Sequence, residues 1–298
     1  MNIDVEIDSI QDLIKLTDDY PLEYDIEYNI NMKAMHDIKR PLVELNNMIG
    51  LNSLKERVVD QIVYYLQDLH KVNSYKGEDF MHTVIYGPPG TGKTEAAKLL
   101  GRIFSNLGIL RRGTFRKVVR SDLIAGYLGQ TALKTRDVIK DSLGGVLFID
   151  EAYALGNNEK RDSFAKECID TLCEGLSDHK DNLMVIIAGY EKELKDCFFN
   201  YNPGLESRFT WRFQTDDYKA AELMKIFEKK VKDAGWEIKE GELKESWFSD
   251  NMGNFKFYGR DMETLFSKVK IMNFQYSLLI TKELTPPGRG TSAPKTVS

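Results

Sequence analysis

The chain has 298 residues, room for about two domains, and its 42% apolar and 29% charged composition is that of a folded globular protein rather than a disordered or collagen-like one. A net charge of −5 gives no general basic field of the kind that drives non-specific nucleic-acid binding. The three cysteines, Cys168, Cys173 and Cys197, show neither C-x-x-C spacing nor a nearby His pair, so they point to neither a disulfide framework nor a zinc site and fit a reducing compartment.

The chain opens on MNIDVEIDSIQDL, acidic where a secretory or transit leader would be basic, and no run of about 18 apolar residues occurs anywhere; a soluble, cytoplasmic protein without membrane contact is expected. Residues 1–30 carry nine acidic residues against Lys15, and residues 1–47 read as an acidic N-terminal extension, a solvated arm packing loosely on the main domain. From Met48 the pattern changes to a helical stretch, LKERVVDQIVYYLQDLHKV. The apolar strand HTVIY follows, then GPPGTGKT and the helix TEAAKLLGRIFSNLG, whose Gly108 suits a C-cap. A strand near FRKVVR, a helix near TALKTRDVIKDSL, the strand GVLFID, a helix from about Asp162 and the strand NLMVIIAGY continue the alternation. The fold expected over residues 48–213 is therefore α/β, a parallel sheet covered on both faces. After Phe213, two amphipathic segments, TDDYKAAELMKIFEKKVKDAG and GRDMETLFSKVKIMNFQYSLLI, predict a small helical domain over 214–284. The Pro-, Gly-, Ser- and Thr-rich residues 285–298 predict a disordered tail.

Gly87, Pro88, Pro89, Gly90, Thr91, Gly92, Lys93 and Thr94 complete a G-x-x-x-x-G-K-[ST] pattern between an apolar strand and a helix. Its glycines let backbone N–H groups turn inward around phosphate oxygens. The following helix adds its positive N-terminal dipole, Lys93 reaches the β- and γ-phosphates, and the Thr94 hydroxyl coordinates Mg²⁺. The strand Gly145–Ile149 then delivers Asp150 and Glu151 at its C-terminal end, where open α/β sheets bind their ligands. Asp150 suits the Mg²⁺ shell, and Glu151 suits polarising the attacking water in phosphoryl transfer. No Asn-Lys-x-Asp guanine-reading motif occurs, which favours ATP as the nucleotide.

With these residues in hand, 48–280 resembles the CbbX/CfxQ group of AAA+ ATPases, which includes red-type Rubisco activases and SpoVK-like proteins. The segments carrying the match are IGL at 49–51, GPPGTGKT at 87–94, DLIAGYLGQTALKTRDVI at 122–139, GGVLFIDEAYAL at 144–155, IIAGY at 186–190 and NPGLESRF at 202–209. The resemblance implies an αβα nucleotide-binding domain with a helical lid, assembled as a ring, a hexamer, with ATP and Mg²⁺ as cofactors. It implies Arg208 as an arginine finger acting on a neighbour's γ-phosphate, with Arg212 close enough to share or take that role. It also implies Arg260 as a nucleotide-sensing residue of the lid, Ile49 and Gly50 against the adenine, and Tyr127 and Leu128 on an aromatic pore loop that grips a polypeptide. Tyr190 stands where many AAA+ proteins carry a polar sensor Asn, and Asn182 lies at the wrong end of its strand, so no sensor-1 residue is named.

The function expected from this resemblance is an ATP-hydrolysing motor subunit that remodels a protein client. Nothing in the chain identifies that client as Rubisco. Two alternatives stand beside it: a nucleotide-gated assembly scaffold that turns over slowly, and a DNA-handling AAA+ motor whose basic residues would be Arg111, Arg112, Arg116, Lys117 and Arg120. For those five, a solvated edge near the second strand is the competing explanation.

Overall fold

The computed structural model describes residues 1–23, 25–67, 69, 80–127, 129–156, 162–239, 241–280 and 295–297, with main chain alone for 273–280 and 295–297. It forms two compact units: Met1–Pro88 with Lys93–Asp216, and Pro89–Gly92 with Asp217–Ser298.

The first unit is built on five parallel strands, β1 (Thr83–Tyr86), β2 (Phe115–Val118), β3 (Val146–Ile149), β4 (Met184–Gly189) and β5 (Trp211–Gln214), in the order β2-β3-β4-β1-β5. The central strands β1, β3 and β4 are buried along their whole length, which is why their sequences read as continuous apolar runs rather than alternating ones. β5 was not among the expected strands, because WRFQ mixes polar and apolar residues in the manner of an edge. In chain order the helices are α1 (Ile10–Asp19), α2 (Met32–Asn46), α3 (Asn52–Leu66), α4 (Lys93–Asn106), α5 (Arg120–Leu123), α6 (Thr131–Asp141), α7 (Ser163–Asp178), α8 (Glu191–Cys197) and α9 (Pro203–Arg208). The part of the expected helix beyond Leu66 falls mostly outside the described residues.

The N-terminal extension is part of this unit's core, not a loosely packed arm. Ile10, Leu13, Leu16, Met32, Met35, Ile38, Leu42 and Leu45 are all buried in the same cluster as Phe104, Val146 and Phe148. The acidic residues of α1, Asp12, Asp18 and Asp19, are not buried: Ser9 caps α1 by accepting from the Asp12 N–H, and Asp12 returns the bond to the Ser9 N–H, so one acid completes a capping box. Pro41, inside α2, cannot donate to the carbonyl of Asp37. Asn106, at the end of α4, supplies that missing donor from its side chain at 2.7 Å. Arg102 of α4 forks onto Glu44 of α2, with Nη2 3.0 Å from Oε1. That hydrogen bond holds the Glu44 carboxyl below the usual carboxylate range.

The second unit contains α10 (Ala220–Asp233), α11 (Glu245–Asp250) and α12 (Gly259–Ile280), packed through Leu223, Phe227, Val231, Phe248, Met262 and Phe266. A short strand, β6 (Trp236–Ile238), pairs in parallel with β7 (Lys295–Val297). The expected disordered tail thus includes a strand at its end, and its remaining residues lie outside those described. Among the described residues, no helix is long and apolar enough to cross a membrane.

Candidate nucleotide site

β1 ends at Tyr86, and the Gly87 N–H donates to the Gly189 carbonyl at the end of β4 (3.1 Å), so the phosphate loop starts from a fixed point on the sheet. Gly87 has φ +145°, and a Cβ there would lie 1.8 Å from Thr215 Oγ1; only glycine fits. Gly90 and Gly92 also take positive φ, at +83° and +87°, which turns the loop before α4 begins at Lys93. Lys93 Nζ donates to the carbonyls of Gly87 (2.8 Å) and Pro88 (2.6 Å), holding the ammonium over the loop's own backbone. Thr94, in the first turn of α4, is half-buried.

In the second unit, the Gly259 N–H donates to the Gly90 carbonyl (3.1 Å), and the buried Tyr218 hydroxyl donates to the Thr91 carbonyl (3.1 Å). Arg260 follows Gly259 directly, so the expected sensing residue stands one position from a contact with the phosphate loop.

Asp150 and Glu151 follow β3. Because β1 and β3 flank β4 in a parallel sheet, Gly87 and Asp150 leave the same edge about 10 Å apart, two strand spacings. Lys117 of β2 makes a 2.6 Å ion pair with Asp150 Oδ2. The sequence placed Lys117 in a basic cluster and gave no sign of this pairing, which arises from adjacent strands. Glu151 has φ +52°, a left-handed conformation that costs a non-glycine residue roughly 1–3 kcal/mol. Both carboxylates line a cavity of about 560 Å³, with Arg120, Ser121, Ile124 and Ala154 among its walls. Arg120 is fixed by the carbonyls of Ala154 (2.7 Å) and Leu155 (2.9 Å) and by Asp162 (2.6 Å). Burial, and then the charge of Glu151, push the Tyr153 phenol above its ordinary pKa.

No cluster of three or more His, Cys, Asp or Glu side chains suited to a metal occurs among the described residues. The donors at hand are hard oxygens, the Thr94 hydroxyl and the Asp150 carboxylate. That set fits Mg²⁺ held mainly by nucleotide phosphates and water rather than by a protein cage.

Arg208 ends α9 and lies elsewhere. Its guanidinium sits 5.8 Å over the ring of Phe80, upstream of β1, and Trp211 after it pairs with Thr83 at the start of β1. The phosphate loop leaves the other end of that strand. From His82 to Gly87 the chain covers five residues, about 16 Å in extended form, so Arg208 cannot reach its own loop. Arg212 is neutralised by Glu206 (3.2 Å), and all three of its nitrogens have acceptors in Glu206 and the Phe209 carbonyl.

Of the remaining expected residues, Ile49 is half-buried, and Gly50 and Leu51 both take left-handed backbone, at φ +67° and +60°, entering α3. Lys55 steadies this turn by donating to the carbonyls of Asn46 and Met48. Tyr127 is 74% exposed and is followed two residues on by Gly129 at φ +76°; Leu128 lies outside the described residues. Tyr190 follows β4 at the edge that carries the phosphate loop, while Asn182 precedes that strand at the opposite edge. Of the five basic residues considered for DNA, Arg116, Lys117 and Arg120 are paired with Asp141, Asp150 and Asp162.

A family model described as the ATPase family associated with various cellular activities (AAA) matches residues 83–216. A CfxQ-like protein of Acanthamoeba polyphaga mimivirus is 39% identical over 245 residues, 82% of this chain and 59% of that one. Stage V sporulation protein K of Bacillus subtilis is 34% identical over 232 residues, 73% of this chain and 71% of that one. Protein CfxQ of Xanthobacter flavus is 38% identical over 198 residues, 65% of this chain and 62% of that one. The chain thus spans about three fifths of the viral and Xanthobacter relatives and a larger share of the Bacillus one.

Proposed function

The chain belongs to the AAA family of ATPases and to its CfxQ-like group, and from that premise we propose that it is a Mg²⁺-dependent ATPase that works as a ring, a hexamer, and remodels a protein client. The observation that carries the ring is the position of Arg208. It lies at the far end of β1 from its own phosphate loop, so a role in hydrolysis requires a second subunit.

In this reading the backbone N–H groups of Gly87–Gly92 and the Lys93 ammonium hold the nucleotide phosphates. Lys93 exchanges its loop carbonyls for phosphate oxygens. Thr94 and Asp150 hold Mg²⁺, which when bound neutralises charge developing on the phosphates. Glu151 accepts a proton from the attacking water. Arg208 of the adjacent subunit stabilises the charge on the transferred phosphoryl group. Ile49 and Gly50 face the base, Arg260 reports the phosphate state to the lid, and Tyr127 with Leu128 grips the client. The pairing of Arg116, Lys117 and Arg120 with acids favours a protein client over DNA, since those charges are already matched. Cys168 and Cys173 are buried thiols, in keeping with a cytoplasmic setting.

Mixing two inactive variants tests the trans arrangement. Glu151→Gln subunits retain Arg208, and Arg208→Ala subunits retain Glu151. Mixed assemblies are expected to recover ATP hydrolysis that neither variant shows alone; failure to recover any would rule out a finger supplied by a neighbour.

A further inference from the structure

We infer that Ser177 is a positioning residue for Arg208, pinning its Nε so that the guanidinium is held in one orientation with Nη2 left for an adjacent subunit; this rests on the reading of Arg208 as a finger acting in trans. Ser177 lies in the last turn of α7, and its hydroxyl donates to the Cys173 carbonyl one turn back (3.3 Å). That contact uses the only hydroxyl proton. The oxygen therefore turns its lone pairs outward, where Arg208 Nε donates to it at 2.7 Å.

A second anchor lies beside it, with Arg208 Nη1 donating to the Gly204 carbonyl at 2.5 Å. The Phe80 ring supports the guanidinium face, and His82 stacks on Phe80 with ring centroids 5.6 Å apart and planes 28° from parallel. His82 adds no second positive charge there. Its Nδ1 accepts from the Val185 N–H, so its Nε2 must donate to the Leu176 carbonyl, the neutral form. Burial holds its pKa down at about 4, with the charge of Arg208 contributing.

Two guanidinium nitrogens are thus committed. Among the described residues Nη2 has no acceptor and Arg208 has no carboxylate partner, so a full positive charge is held in one orientation with Nη2 to spare. Arg212 offers the contrast, its three nitrogens and its charge all satisfied within its own subunit. A guanidinium fixed at Nε and Nη1 loses less freedom when it meets a developing charge, and that gain appears in turnover rather than in ATP binding.

The test is steady-state ATPase kinetics of the full chain at saturating subunit concentration for Ser177→Ala, Ser177→Cys, Ser177→Thr and Arg208→Ala, with thermal melting and sedimentation alongside. Cysteine is near-isosteric but a weak acceptor, which separates the lost bond from lost packing. Expected are about a tenfold fall in kcat for the Ala and Cys variants with KM for ATP unchanged, recovery to within about twofold by Thr, and no further loss when Ser177→Ala is added to Arg208→Ala. Should Arg208→Ala abolish turnover while Ser177→Ala and Ser177→Cys leave kcat intact, the positioning role is overturned and the finger survives. Should Arg208→Ala leave turnover unchanged, the finger reading itself fails, and this inference with it.

Discussion

Leu51, Glu151 and Tyr258 adopt left-handed backbone although none is glycine, and each lies in or beside a segment expected to serve the nucleotide. Backbone strain of this kind persists where surrounding structure over-determines it, and here it falls on the turn proposed to face the base, the carboxylate proposed for hydrolysis and the entry to the helix proposed to sense nucleotide. Replacing Glu151 by Gly relieves the strain while removing the carboxylate. Stability in urea is expected to rise by about 1 kcal/mol as hydrolysis is lost, and a fall in the midpoint would contradict a strained Glu151. His82 makes a second prediction. Its pKa drops from 6.5 in the unfolded chain to about 4 in the fold, so the unfolded state binds the extra proton between those values. The stability it contributes is complete above pH 6.5 and is lost as pH falls toward 4, by about 3 kcal/mol. Unfolding curves of wild type and His82→Gln across this window should show the wild type losing the more; parallel curves would refute it. At this scale the sequence showed the phosphate loop and the paired carboxylates because their chemistry is written in adjacent residues. It did not show Lys117 against Asp150 or Ser177 against Arg208, since those pairs come from separate elements.

Among the elements, the parallel strands and the helices between them followed from apolar runs and periodicity, whereas α1 and α2 went unforeseen. Their apolar residues recur at helical spacing, but nine acids in the first thirty residues made the segment read as solvated. Only Asp12, Asp18 and Asp19 of those acids lie in α1 and none in α2, and none of the three is buried, so the apolar faces enter the core. Because eight apolar side chains of α1 and α2 enter the same core as β3, each contributes roughly 1.5–3 kcal/mol of burial to the nucleotide-binding unit. Leu42→Ala is expected to cost about 2–5 kcal/mol by chemical denaturation, and Asp18→Asn, at the surface, under about 0.5. Equal effects of the two would mean that the extension is not part of the core. Glycine 87 is a further element-level constraint, since any side chain there meets Thr215 and breaks the junction of β1 with the loop. Gly87→Ala should therefore lose ATP binding, measured with a fluorescent nucleotide, as well as stability.

For the molecule as a whole, sheet order sets which of the proposed site residues share an edge. With β1 central and all strands parallel, the phosphate loop and both carboxylates leave one edge, and Arg208 stands near the other. Under the proposed role of Arg208, a lone subunit would bind nucleotide with its hydrolytic machinery incomplete, and turnover would become a property of assembly. The most direct test is the ATPase rate per subunit over a wide range of protein concentration, with Glu151→Gln and Arg208→Ala beside the wild type. A rate per subunit that rises with concentration to a plateau, and that either substitution abolishes, is the predicted result. A rate per subunit that is constant from the most dilute to the most concentrated sample, and indifferent to Arg208→Ala, would contradict the account.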